Sequence, residues 1–313
     1  MTVDLVLNRN ARNLSEGSPI RRALVTAASR HGARLHETRN LAELEAVAWG
    51  LAEGGTSAVV LAGGDGSALA GVSALSRVFG GAVPPIALAP GGTVNTIASN
   101  LDPDAHGPAP ERAARLLRAV CEGTATSKPT PTLRVRDDAG GDRVAFIFGA
   151  GLIARFFDVY DAAPRQGVAV AARLATRAFL GSLVGTPFAR RVLTPLACRL
   201  EVDGVARPSP AWSLVLASVV KDVGLGIHAT YRAGESDEQF HVVASTRSPR
   251  GLASQVPRVM TGRPMVGDDH VDALARMLRV SFAERDSYVV DGDACRAREV
   301  TVEPGPVVTV LVA

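Results

Sequence analysis

Two glycine-rich turns, each at the end of a short buried run, constrain this chain more than anything else in it. Ala58–Ala62 is an unbroken apolar stretch that leads straight into Gly63-Gly64-Asp65-Gly66-Ser67, after which Ala68–Val78 reads as a helix. Ile86–Ala89 leads in the same way into Pro90-Gly91-Gly92-Thr93-Val94-Asn95, before the helical Thr96–Asn100. Short apolar runs without alternation suit strands buried on both faces, and strand, tight turn and helix repeated in order is the pattern of a parallel α/β sheet. In such a turn, glycine supplies unusual dihedrals and removes the side chain that would block close approach. Bare N–H groups and the helix amino end can then face an anion, and phosphate is the expected guest. Asp65 sits among groups that attract anions, so a magnesium ion bridging it to phosphates would reconcile the charges.

The remainder of the first third keeps the same rhythm. Val3–Leu7 reads as a strand, Pro19–Ser29 as a helix opened by Ser18 and Pro19, and Leu41–Ala52 and Glu111–Cys121 as further helices. From about Lys128 the texture changes: Pro129 and Pro131 mark a linker. Short β-type runs follow at Leu133–Arg136, Val144–Phe148, Cys198–Val202, Trp212–Ser218 and Phe240–Ala244, with last strands around Val289 and Val307–Val312. Helices are expected at Val168–Leu183, Leu252–Met260 and Val271–Met277. The expected architecture is an α/β amino-terminal domain with a parallel sheet over residues 1–129, followed by a β-rich, mainly antiparallel carboxyl-terminal domain over residues 130–313. The 313 residues suffice for two such domains.

Composition excludes several function classes. Lys and Arg total 34 against 31 Asp and Glu, with no concentrated basic tract and 4% aromatic residues, which argues against a nucleic-acid partner. Cys121, Cys198 and Cys295 are far apart and lack metal-ligand spacing, so neither a disulfide framework nor a zinc site is expected. The histidines form no ligand spacing and read as surface or partly buried residues; Trp49 and Trp212 read as packing residues. No apolar run reaches membrane-spanning length, which gives the expectation of a soluble protein in the cytoplasm. Val168–Leu183, with Arg173, Arg177 and Phe179, is open to two readings: a core-facing helix with solvated arginines, or an amphipathic helix that docks on anionic headgroups.

Taken together, Val59–Leu75 with its Gly-Gly-Asp-Gly-Ser core and Ala89–Leu101 with Pro-Gly-Gly-Thr-Val-Asn resemble the two nucleotide-site motifs of the diacylglycerol kinase catalytic-domain family, which includes bacterial diacylglycerol kinases, sphingosine kinases and ceramide kinases. Leu7-Asn8-Arg9-Asn10-Ala11-Arg12 is similar to that family's amino-terminal nucleotide loop, and Asp291-Gly292-Asp293 stands where it carries Asp-Gly-Glu. The resemblance implies an amino-terminal domain like those of phosphofructokinases and NAD kinases, a β-rich carboxyl-terminal domain, and ATP with Mg2+ in the cleft between. By the same resemblance Asn8, Arg9, Asn10, Ala11, Arg12, Thr38, Gly63, Gly64, Asp65, Gly66, Ser67, Ala68, Gly92, Thr93 and Asn95 would line the nucleotide. Asp65 would be essential for magnesium-ATP, Asp293 would inherit the role of general base, and Asp237 would contribute to a second, structural metal site.

The expected activity is transfer of a phosphoryl group from ATP to a hydroxyl of a diacylglycerol-like or sphingoid/ceramide-like lipid, met at the inner face of the membrane by peripheral contact. A homodimer stays open. The alternatives are an NAD kinase-like enzyme, which shares the Gly-Gly-Asp-Gly turn, and a catalytically silent family member that binds nucleotide or lipid. Asn10, Thr96 and Asp293, which depart from the family's usual residues, keep the silent alternative open.

Overall fold

The computed structural model describes residues 2–92, 95–103, 105–163 and 167–313, the side chain of Leu183 excepted. In chain order it contains β1 (Val3–Asn8), α1 (Pro19–His31), β2 (Arg34–Thr38), α2 (Leu41–Gly54), β3 (Ala58–Gly63), α3 (Asp65–Phe79), β4 (Ile86–Pro90), α4 (Thr96–Leu101), α5 (Ala109–Glu122) and β5 (Thr126–Thr130). There follow β6 (Leu133–Asp137), β7 (Asp142–Ala145), β8 (Ile147–Gly151), α6 (Leu152–Asp161), α7 (Val168–Val184), α8 (Pro187–Val192), β9 (Leu196–Val202), β10 (Val205–Arg207), β11 (Ala211–Trp212) and β12 (Leu214–Ser218). The chain closes with β13 (Phe240–Ser245), α9 (Pro249–Met260), β14 (His270–Ala275), β15 (Leu278–Val290), β16 (Asp293–Pro304) and β17 (Val308–Val312).

These elements form two compact units, residues 1–130 with 306–313, and residues 131–305. The first unit carries a six-stranded sheet in the order β2-β1-β3-β4-β17-β5, parallel except for β5, which runs antiparallel to β17. Alternate residues Val3, Leu5 and Leu7 of β1 and Ala58, Val60 and Ala62 of β3 pack with Leu24 and Ala28 of α1 and Leu117 of α5 in one core cluster. On α3, a Cβ at Gly71 would come within 2.7 Å of the Leu61 side chain, so the absent side chain lets that helix sit close to β3. Two expectations are corrected here. The last eight residues belong to the first unit and not to a domain running 130–313, because β17 fills the place between β4 and β5. The stretch around Pro129 is a strand and not a linker: Pro129 pairs with Thr309 at the edge of the sheet, where a missing N–H is tolerated.

At the opposite edge, Asp4 is wholly buried and holds Arg34 through two hydrogen bonds of 2.7 Å and His36 through one of 2.8 Å. Burial alone would raise its carboxyl; the bonds from Arg34, Thr56 and His36 more than reverse that and hold it below the usual carboxylate range. A carboxyl lowered by folding contributes stability that is present above its unfolded pKa, about 3.9, and is lost as pH falls through the folded value. Arg34→Ala is therefore expected to lower the melting temperature at neutral pH. The gap to the parent protein should narrow below about pH 4 as Asp4 protonates, which thermal melts across pH would show.

The second unit is built on an eleven-stranded sheet, β14-β13-β12-β8-β15-β16-β6-β7, with β9 against β15 and the short β10 and β11 against β9. All of its pairings are antiparallel. The helix expected at Val271–Met277 is instead β14, because the stretch pairs residue for residue with β13 from His270–Ser245 to Ala275–Phe240. That pairing sets Asp272 against His241, 2.8 Å apart, and the Tyr231 hydroxyl donates to the same carboxylate. His241 is thereby fully buried and not the surface or partly buried histidine expected. Trp49, expected to pack, is 59% exposed, while Trp212 is buried.

Candidate active site

In the first unit the residues singled out from the sequence converge on the ends of β1, β3 and β4. Gly63 ends β3, Gly64 caps α3, and Asp65-Gly66-Ser67 form the first turn of that helix, whose amino end receives no side-chain hydrogen bond at its cap. A 15-residue helix opening on bare N–H groups presents partial positive charge. Ala68 spends its N–H on Gly64 O at 3.0 Å and is buried, so its part is structural. The second turn lies directly on the first. Gly91 N donates to Gly63 O at 2.7 Å, a Cβ on Gly64 would come 3.1 Å from Gly92 Cα, and one on Gly92 would overlap Gly64 Cα. The two turns therefore meet backbone to backbone, with no room for a side chain at either glycine.

Asparagines hold this contact in place. Asn95, in the left-handed region at φ 58°, accepts from Gly92 N at 2.8 Å and donates to Gly92 O at 3.0 Å. Asn13, which sequence reading missed, donates to the same carbonyl at 2.7 Å, and its N–H reaches Gly91 O at 3.1 Å. Asn8 donates to the Ser67 hydroxyl at 2.7 Å and so ties the end of β1 to the first turn. Thr93 lies outside the described residues.

The amino-terminal loop is more self-contained than expected. Arg9 N bonds Thr38 O, Asn10 N bonds Asn8 Oδ1, and Ala11 N bonds Asn8 O, at 2.9, 2.9 and 3.1 Å. The N–H groups of Arg9, Asn10 and Ala11 are thus already paired within the protein. The Arg9 guanidinium pairs with Glu16 and Glu37, Asn10 and Arg12 are exposed, and Thr38 is buried at the end of β2.

Asp65 has a structural task that its place in a glycine turn does not announce. Its two carboxylate oxygens accept the N–H groups of Thr96 and Ile97, each at 3.0 Å, and so cap the amino end of α4 just beyond the second turn. Burial, the largest influence, pushes its carboxyl above the ordinary range, and the bonds from Ile97 and Thr96 pull it part of the way back. Each oxygen keeps a further lone pair.

In the second unit, Asp293 is exposed at the start of β16, just past a two-residue turn made by Asp291 (φ 47°) and Gly292 (φ 97°). Positive φ at both positions makes a tight hairpin turn whose twist suits the flanking strands, and Asp-Gly is a favoured pair for it. The neighbouring Asp291 carboxylate is buried and accepts Phe146 N at 3.0 Å and Ile147 N at 2.6 Å, while Asp291 N donates to Ile147 O at 3.0 Å. These bonds break the single strand expected at Val144–Phe148 into β7 and β8, and they anchor the turn that carries Asp293. Asp291→Ala should destabilise the protein by about 2–5 kcal/mol by stripping buried N–H groups of their acceptor, measurable in denaturant melts. Asp237 is exposed. Among the described residues no group of three or more His, Cys, Asp and Glu side chains could hold a metal ion.

With this geometry established, comparison with known proteins is informative. Residues 3–127 match the family model described as the diacylglycerol kinase catalytic domain. Over those residues the chain is similar to the diacylglycerol kinase catalytic-domain family. Three solved structures from Bacillus anthracis strain Sterne share the fold over 100% of this chain and 97% of theirs. One is described as a diacylglycerol kinase, at 14% identity and a TM-score of 0.66. The other two, provisionally assigned as diacylglycerol kinases, stand at 14% and 15% identity with TM-scores of 0.72 and 0.73. No curated protein matches the chain in sequence. The match supports a kinase of that family.

Proposed function

We propose that this chain transfers the γ-phosphoryl group of ATP to a hydroxyl of a diacylglycerol-like or sphingoid/ceramide-like lipid. The observation that carries the reading is the close approach of the Gly63–Ser67 and Gly91–Gly92 turns, which leaves an uncapped helix amino end beside bare main chain. Such a surface fits a polyphosphate, because only backbone lies where a phosphate oxygen would approach. In phosphoryl transfer the protein contributes mainly position and electrostatics, and a preformed cradle of this kind supplies both.

Magnesium fits the residues present in a limited sense. Mg2+ is ordinarily held by one or two carboxylates, substrate phosphates and water, so Asp65 with its spare lone pairs suffices as the protein's share. When bound, the ion would neutralise charge on the phosphates. The chain's own residues hold and orient: Asn8 and Ser67 steady the first turn, Asn13 and Asn95 the second, and Asp65 joins the second turn's helix to the first. Asp293, exposed at the mouth of its hairpin, would accept the proton of the lipid hydroxyl as general base. The acceptor class is supported by the match of residues 3–127 to the family model and not by a feature of the second unit.

The test incubates the protein with labelled ATP and mixed micelles containing, in turn, diacylglycerol, ceramide and a sphingoid base, with NAD as a further acceptor. Label in a lipid product supports the proposal. Label in NAD alone, or nucleotide binding with no transfer to any acceptor, overturns it.

A further inference from the structure

Unlike α6, which carries Arg155 with Asp158 and Asp161, three helices of the second unit hold charge of one sign only. α7, α8 and α9 contain Arg173, Arg177, Arg190, Arg191, Arg250 and Arg258 and not one Asp or Glu. In a chain where 34 basic groups face 31 acidic ones, these helices stand apart. Arg173, Arg177, Arg190 and Arg191 make no ion pair with a carboxylate among the described residues, and Arg177 lies 4.3 Å over the Phe188 ring, held beside α8.

The outward face of α7 is equally unusual. Among its described side chains the buried ones are the small Ala171, Ala178, Gly181 and Ser182, whereas the large aliphatics Val168, Leu180 and Val184 are 48%, 55% and 76% exposed. Leu180 and Val184 are one turn apart and so neighbours on the exposed surface, with exposed Arg173 and Arg177 on the same side of the helix. A helix packed on a protein core puts its large side chains inward. Here Val170, Leu174 and Phe179 are half-buried, while Leu180 and Val184 face solvent, so the helix is covered on one side and leaves large aliphatics bare on the other. Aliphatic residues flanked by arginines, without an acid, are what a helix lying in a membrane interface presents.

We propose that the exposed face of α7 docks on the surface of an anionic phospholipid bilayer, with Leu180 and Val184 entering the headgroup boundary and Arg173 and its neighbours meeting the lipid phosphates. The proposal deepens the lipid-kinase reading, since a lipid acceptor is delivered by a bilayer, yet vesicle binding can be measured without turnover. Among the described residues no helix is long and apolar enough to cross a membrane, so contact by one face is the mode this segment allows.

The whole protein would be co-sedimented with phosphatidylcholine vesicles with and without phosphatidylglycerol, at low and high salt. Binding should require phosphatidylglycerol and weaken with salt. Arg173→Glu/Arg191→Glu and, separately, Leu180→Ser/Val184→Ser should each reduce it about tenfold or more with unchanged melting temperature, since each arginine near an anionic surface adds about fivefold. Phosphorylation of a short-chain acceptor dissolved as monomers should be the same in both variants as in the parent, so loss there would mark a failure of the catalytic reading instead. Equal binding to both vesicle types, or binding that survives both variants, overturns the proposal. So does a dimer in sedimentation velocity that Leu180→Ser/Val184→Ser splits while vesicles are ignored.

Discussion

Asp65→Asn is expected to abolish phosphoryl transfer to lipid and to lower stability by about 1–3 kcal/mol. The stability loss follows from the hydrogen bonds: both carboxylate oxygens accept backbone N–H groups, from Thr96 and Ile97. An asparagine offers one acceptor, and its NH2 group would face the other N–H donor to donor. Loss of the negative charge at the amino end of α4 adds to the cost. The activity loss has a separate cause in the proposed reading, where Asp65 is the acid beside the phosphate cradle and would hold the metal. The two roles can be told apart. If capping is the whole role, transfer should fall only in proportion to the unfolded fraction, and raising the Mg2+ concentration should change nothing. If the carboxylate also holds the metal, titration calorimetry should show parent and variant binding ATP alike without Mg2+ and only the parent gaining affinity when it is added. Because burial raises the Asp65 carboxyl of the metal-free protein, the gain in ATP affinity on adding Mg2+ should be lost, as pH falls, at a pH above the range of an ordinary carboxylate, measured by calorimetry across pH.

The amino-terminal architecture and the glycine turns were legible because their signals are local. A glycine forced by backbone crowding is visible wherever a strand gives way to a helix, and Gly64 and Gly92 show that crowding directly. What could not be read depends on partners distant in sequence. Asp65 reads as a ligand in its own turn, while its capping role depends on residues 31 and 32 positions later. Asp291 and Asp293 differ little as letters, yet one carboxylate is buried against Phe146 and Ile147 and the other is exposed. His270–Ala275 shows the same limit for secondary structure: a short apolar stretch fits helix or strand, and pairing with β13 decides it. The placement of β17 beside β4 is a matter of topology across more than two hundred residues, which no local pattern encodes.

Gly92→Ala carries the other large expectation: nucleotide affinity should fall about a hundredfold, with about 1–3 kcal/mol of stability lost to overpacking. The added Cβ would overlap Gly64 Cα and approach Asn95 Oδ1 to 3.0 Å, so it strikes backbone on one side and the asparagine clasp on the other. Neither neighbour can swing away as the end of a flexible side chain could. Gly64 is fixed by the start of α3, and Asn95 is bonded through both ends of its amide to Gly92 itself. The turns must then part by a sizeable fraction of an ångström, which misplaces the bare N–H groups meant to meet phosphate. Gly50→Ala on the middle of α2, where a Cβ meets nothing within 4 Å, supplies the contrast and should leave nucleotide affinity unchanged with a small gain in stability. Titration calorimetry on both variants decides the matter: equal affinities would mean that the contact between the two turns has no part in holding the nucleotide.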